Sequence, residues 1–187
     1  MVDALLTALE RVIQNEDALP TVRTLATRAG VAIGSIYYYI REREDLVSLL
    51  VMREERRIAE RALDVLARTP VSTPTADIEA ILRDLVAWRN ERGWVSRLPV
   101  RFMKGHAWVE SIFRSSVGTL AKPLEEVFRR HLVRPMTASD KLHLVGAAVG
   151  NQLAWVFAID GAEDIDVLVR MIGGYIEALP KVDDAAP

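Results

Sequence analysis

Residues 21–50 read TVRTLATRAGVAIGSIYYYIREREDLVSLL, and this stretch decides the fold. Thr21 follows Pro20 as a cap residue, so Val22 to Ala29 is expected to be a short helix that Gly30 ends. A second short helix is expected from about Ile33 to Tyr39. Ala26 and Ala29 are small, while Leu25, Val31 and Ile36 are apolar. Small residues and a glycine at the turn let the second helix cross the first closely and steeply. That is helix-turn-helix geometry, whose second helix can enter a major groove. The local charge agrees. From Ala18 to Arg43 there are four arginines, Arg23, Arg28, Arg41 and Arg43, against one acid, Glu42, in a chain whose formal net charge is −2. Tyr37, Tyr38 and Tyr39 offer hydroxyls for phosphate and ring faces for sugar or thymine methyl. Thr21, Thr24 and Ser35 add short donors near helix starts.

The segment resembles the DNA-binding domain of the TetR/AcrR family of bacterial transcriptional regulators. The resemblance rests on Thr21-Val22-Arg23-x-Leu25-Ala26, Ala29-Gly30-Val31, Gly34-Ser35-Ile36-Tyr37 and Arg43-Glu44-x-Leu46, with a weaker match through Leu5 to Ile13. Three departures stand out. Arg43 replaces the usual lysine, Ile40 the usual phenylalanine, and Asn15-Glu16 the glycine usual between the first two helices. Little chain precedes the first helix, so no basic minor-groove arm is expected. The resemblance implies a homodimer on a pseudo-palindromic double-stranded DNA operator, released when an effector bound in the body swings the heads apart. Repression is the output the family implies. On this reading Ile33, Gly34, Ser35 and Tyr38 meet base edges or thymine methyls. Thr21, Arg23, Tyr37, Tyr39 and Arg43 meet the backbone, with a guanine as a second target for Arg23.

Outward from this head the pattern stays helical. Asp3 to Asn15 forms a first helix with Leu5, Leu6, Leu9, Val12 and Ile13 on one face. Arg43 to Arg68 reads as one long helix closed by Pro70 and Pro74, and about Thr75 to Arg92 as the next. Trp94 to Arg134 is interrupted by Pro99, Gly105, Gly118 and Pro123 and should hold two or three shorter helices. Residues 136–140 should cap a long helix to about Ile159, and Glu163 to Leu179 should form the last. The fold class is all-α, with nine or so helices. Residues 1–45 form the DNA-binding domain, and 46–187 form a helical effector-binding and dimerisation domain.

Composition excludes much. The 187 residues contain no cysteine, so thiolate metal sites, disulfides and cysteine nucleophiles are ruled out. His106, His131 and His143 match no metal spacing. Gly173-Gly174 lacks the lysine of a phosphate loop, and no serine sits in a nucleophile elbow. Glu54-Glu55 and Glu125-Glu126 are read as solvated pairs. Neither an enzyme nor a cofactor is expected. The start lacks a basic n-region, and Leu142 to Ile159 carries His143, Asn151 and Gln152. A cytoplasmic chain with a buried helix is therefore expected, not a membrane span.

The helix from Ser139 to Ile159 is apolar nearly all round, with Gly146 and Gly150 four apart. The last helix has one face at Ile165, Leu168, Ile172 and Tyr175 and a second at Val167 and Met171. Two apolar surfaces suggest a four-helix bundle shared between subunits. All four tryptophans lie in the body. Trp88, Phe102, Met103, Trp108, Phe113 and Trp155 suit an adaptable apolar pocket, with Arg89, His106, Asn151 and Gln152 as polar groups that orient a small, mostly apolar effector. The segment from Gly93 to Gly105 is the one expected to move. The alternative is a DNA-binding protein of the same fold whose body only dimerises or binds a protein; a polar-lined cavity in the body separates the two.

Overall fold

The computed structural model describes residues 1–15, 19–92, 119, 121–131, 137–140, 142–143 and 162–179, excepting the side chains of residues 43, 44, 89 and 162–164. Among the described residues all regular structure is helical. The elements are α1 (Val2–Asn15), α2 (Val22–Ala29), α3 (Ile33–Ile36), α4 (Arg43–Arg68), α5 (Pro74–Glu91), α6 (121–131) and α7 (Ala162–Glu177).

The head packs α1, α2, α3 and the first turns of α4 around one core. Leu5, Leu9 and Val12 of α1 meet Leu25 of α2, Ile36 and Ile40 around α3, and Leu46, Val47 and Leu50 of α4. These α1 residues recur at three and four, so one helical face is buried against its neighbours. Thr21 caps α2, its Oγ1 accepting from Thr24 N at 3.2 Å. Gly30 closes the helix at φ 67°, and Val31 N donates to Ala26 O at 3.0 Å. This left-handed closure explains the glycine. At the start of α4, Asp45 accepts from Arg41 N at 2.8 Å and Glu42 N at 3.0 Å. That turns the chain out of the tyrosine run into the long helix.

One expectation changes here: α3 ends at Ile36, and Tyr37, Tyr38 and Tyr39 form a turn. Ile40 must turn inward to join the core, and three aromatic residues do little to extend a helix against that pull.

The body shares α4 with the head. Ala62, Val65 and Leu66 of α4 meet Ile78, Ile81, Leu82 and Leu85 of α5, Leu124, Val127 and Phe128 of α6, and Ile165, Val169, Ile172 and Ile176 of α7. Thr73 Oγ1 accepts from Ala76 N at 3.1 Å, and Pro74 begins α5, where its missing N–H costs nothing. Glu177 reaches back from α7 to Thr75, accepting from its N at 3.3 Å and its Oγ1 at 2.5 Å. Asp77 is fully buried and accepts from Arg130 Nη1 at 3.3 Å, with His131 Nε2 at 3.0 Å; Arg130 also donates to Leu66 O. This polar knot ties α6 to α5 and to the end of α4. Thr137 and Asp140 cap reciprocally, Thr137 N donating to Asp140 Oδ2 at 2.8 Å and Asp140 N to Thr137 Oγ1 at 3.2 Å. The helix expected after residue 136 therefore starts as read; 138–140 and 142–143 are helical. Residues 93–118 and 144–161 lie outside the described ones.

Candidate nucleic-acid interface

The head exposes both aromatic and cationic side chains. Tyr38 is 84% exposed, Tyr37 58%, Tyr39 55% and Ile33 39%, beside a fully buried Ile36. Core packing accounts for Ile36 and Ile40, whereas the three tyrosines lie outside the buried core of the head. Tyr38 and Tyr39 meet edge to face with centroids 5.1 Å apart, which orders the two rings relative to one another. Ser35, Gly34, Arg23, Arg28 and Arg41 of the head are exposed as well. A Cβ on Gly34 would meet nothing within 4 Å, so packing within the chain does not require that glycine. Thr21 is exposed, but its hydroxyl is already engaged with Thr24 N and lies 2.9 Å from Thr24 Oγ1. Its first role is the α2 cap. The Arg43 side chain lies outside the described ones.

In the body, Trp88 is half-buried, with the guanidinium carbons of Arg92 and Arg61 4.9 Å and 5.8 Å from its ring. Arg61 is itself held by both carboxylate oxygens of Asp84. Two cations engaging the indole give Trp88 a structural task at the α4–α5 seam. Phe102, Met103, His106, Trp108, Phe113, Asn151, Gln152 and Trp155 lie outside the described residues, as does the Arg89 side chain. On α7, Ile165 and Ile172 are buried in the chain's own core, while Leu168 and Tyr175 pack against its edge. Tyr175 also meets His143, centroids 5.1 Å apart. The outward apolar residues of α7 are Val167 and Met171, 46% and 65% exposed. Gly146 and Gly150 lie outside the described residues.

A polar cluster that sequence reasoning missed joins head and body. Glu54 and Glu55 are 3% and 5% exposed, which overturns their reading as a solvated pair. Arg53 Nη2 donates to Glu10 Oε2 at 2.7 Å, and Arg57 Nη1 to Glu54 Oε1 at 2.7 Å. Arg92 Nη2 donates to Glu10 Oε1 at 2.8 Å and to Glu54 Oε2 at 3.0 Å. Burial pushes the Glu54 carboxyl up, against the pull of Arg92 and Arg57, and burial likewise lowers Arg53. The available signal was the run Arg53-Glu54-Glu55-Arg56-Arg57 at the point where α4 passes from one core to the other.

Among the described residues no group of histidines and carboxylates could hold a metal, and no helix is long and apolar enough to cross a membrane.

No protein-family model matches the chain, and no curated protein matches its sequence. Solved structures do match its fold. The TetR-family repressor AlkX from a Dietzia species, implicated in n-alkane biodegradation, superposes with a TM-score of 0.73 at 13% identity, over 94% of this chain and 95% of that one. The regulator FadR from Bacillus subtilis, in complex with stearoyl-CoA, gives 0.56 at 15% identity over 95% and 98%. A TetR-family regulator from Marinobacter aquaeolei gives 0.50 at 16% identity over 92% and 93%. The likeness runs the length of the chain, through head and body alike, and the chain carries the all-α fold of the TetR-family transcriptional regulators.

Proposed function

We propose that this protein is a ligand-responsive transcriptional regulator that binds an inverted-repeat DNA operator as a homodimer and represses by occupying it. The observation that carries the reading is the Tyr37–Tyr38–Tyr39 surface, exposed beside α3 on a head whose core is otherwise closed. Exposed aromatics on a head that also exposes Arg23 and Arg41 suit a surface that packs on sugar and base while cations meet phosphate. Ile33, Gly34, Ser35 and Tyr38 read bases; Arg23, Tyr37, Tyr39 and Arg43 hold the backbone, with Thr21 stabilising α2 beneath them. Val167 and Met171 of α7, with the glycines Gly146 and Gly150, contribute to the dimer seam. The division between head and body falls within α4, after the Leu46–Leu50 turn that the head core uses.

The effector is a small, mostly apolar molecule bound in the body. The solved relatives support a long aliphatic chain: AlkX is implicated in n-alkane breakdown, and FadR was solved with an acyl-CoA thioester. The test is an operator selected from random duplex DNA, then titrated with stearoyl-CoA, stearate and hexadecane. Release by one of these, with a rise in melting temperature of the DNA-free protein, supports the reading. Operator binding that none of a broad panel of apolar molecules disturbs favours a body that only dimerises or binds protein.

A further inference from the structure

The ion-pair cluster between α1, α4 and the end of α5 is more than packing. Glu10 belongs to the head, Arg53, Glu54 and Arg57 to the shared helix, and Arg92 follows directly on α5 of the body. Arg92 Nη2 reaches carboxylates on two elements, Glu10 and Glu54, while its guanidinium lies against Trp88 of α5. Arg53 also donates to the Leu6 carbonyl of α1 at 3.4 Å. Glu54 and Arg53 both lose by burial, so the cluster is a costly way to hold two helices together. Apolar contacts would hold α1 to α4 more cheaply and already do so in the head core. What charge-assisted bonds add is direction: they are short, angle-dependent and satisfied at one relative orientation. Apolar faces tolerate sliding.

We propose that Arg92 is a positioning residue for operator binding, locking α1, and with it the tyrosine surface, at one angle to the body. The inference rests on the DNA-binding reading above. A dimer must present both heads at one spacing, so a head that samples several angles binds more weakly by the fraction of time it spends in the right one.

The test uses the full-length protein with Glu10→Gln, Arg92→Gln and both together. The probe is a duplex selected by the wild type from random DNA. Each single variant should weaken binding about five-fold or more, and the double should fall clearly short of the product of the two losses, because the Arg92–Glu10 pair is common to both while Arg53 on Glu10 and Glu54 on Arg92 are not. In DNA-free protein, amide exchange along α1 should speed up about ten-fold while the core amides of α5 and α7 hold their rates. A merely structural residue would lower protection throughout. Losses that add in the double variant, affinity within about two-fold of wild type, or unchanged α1 exchange would each overturn the proposal. If Arg92→Gln does not fold, Glu10→Gln carries both measurements. A wild type that selects no DNA sinks the functional reading, and the exchange measurement still decides whether Arg92 orients the head.

Discussion

Gly173 of α7 faces Thr75 of α5 so closely that a Cβ on the glycine would lie 2.6 Å from the threonine Cα. The neighbouring Gly174 has nothing within 4 Å of the same position. The two helices touch backbone to backbone at one point, and Glu177 fastens the joint one turn further on.

Adjacent glycines should therefore respond with opposite sign. Gly174→Ala should stabilise the protein by up to about 1 kcal/mol through helix propensity alone. Gly173→Ala gains the same propensity but must push a backbone away, an overpacking cost of about 1–3 kcal/mol, and should destabilise on balance. Urea unfolding of the two variants checks this. Equal shifts would mean that α5 and α7 do not meet closely here.

Gly34 and Gly30 separate function from fold in the head. Gly34→Ala meets open space and should leave stability unchanged or raise it by about 0.5–1 kcal/mol. If a groove wall lies against α3, the added methyl should weaken operator binding at the same time. Gly30→Ala should instead cost about 1–2 kcal/mol of stability, because φ is 67° there. Chemical denaturation and a gel-shift titration on the same samples distinguish the two.

Glu54 gives the stability a pH dependence of known sign. Burial raises its carboxyl above the ordinary value in the folded state, with Arg92 and Arg57 opposing. Such a group contributes stability that is fully present below the unfolded carboxylate range and lost as pH rises through the raised value. Glu54→Gln removes that loss. From pH 4 to pH 7 the stability of the variant relative to wild type should therefore move in the variant's favour. Denaturant midpoints at both pH values measure it, and movement toward the wild type would contradict the buried placement.

Much of this was legible in the sequence, because helix caps and amphipathic spacing are local. Thr21 and Gly30 bound α2, Thr137 and Asp140 cap the helical segment that starts at residue 138 as expected, and the α1 face at Leu5, Leu9 and Val12 is buried. The early end of α3 was not legible, since it depends on Ile40 being drawn into a core built by distant residues. Nor was the burial of Glu54: its partner Arg92, and Glu10 whose carboxylate shares that arginine, are 38 and 44 positions away in sequence, and only the crossing of α1, α4 and α5 brings them together. Ile165 and Ile172 carry the same lesson, since spacing marks a helix face as apolar without saying which neighbour covers it.

Backbone and base contacts should separate in the head variants. Arg43→Ala should weaken binding to all duplexes alike and reduce the slope of log affinity against log salt by about one. Tyr38→Ala should change which duplexes are preferred, by about 1–3 kcal/mol per contact. An altered sequence preference in Arg43→Ala would reverse the two assignments.

The central claim is that the exposed tyrosine surface beside α3 reads DNA, and selection from a random duplex pool tests it most directly. Wild-type protein should enrich an inverted repeat, with half-sites spaced for a two-fold dimer. Tyr38→Ala, folded to the same melting temperature, should lose that enrichment while keeping weak, salt-sensitive binding to any duplex. A folded wild type that enriches no sequence, or a Tyr38→Ala variant that enriches the same repeat equally well, would contradict it.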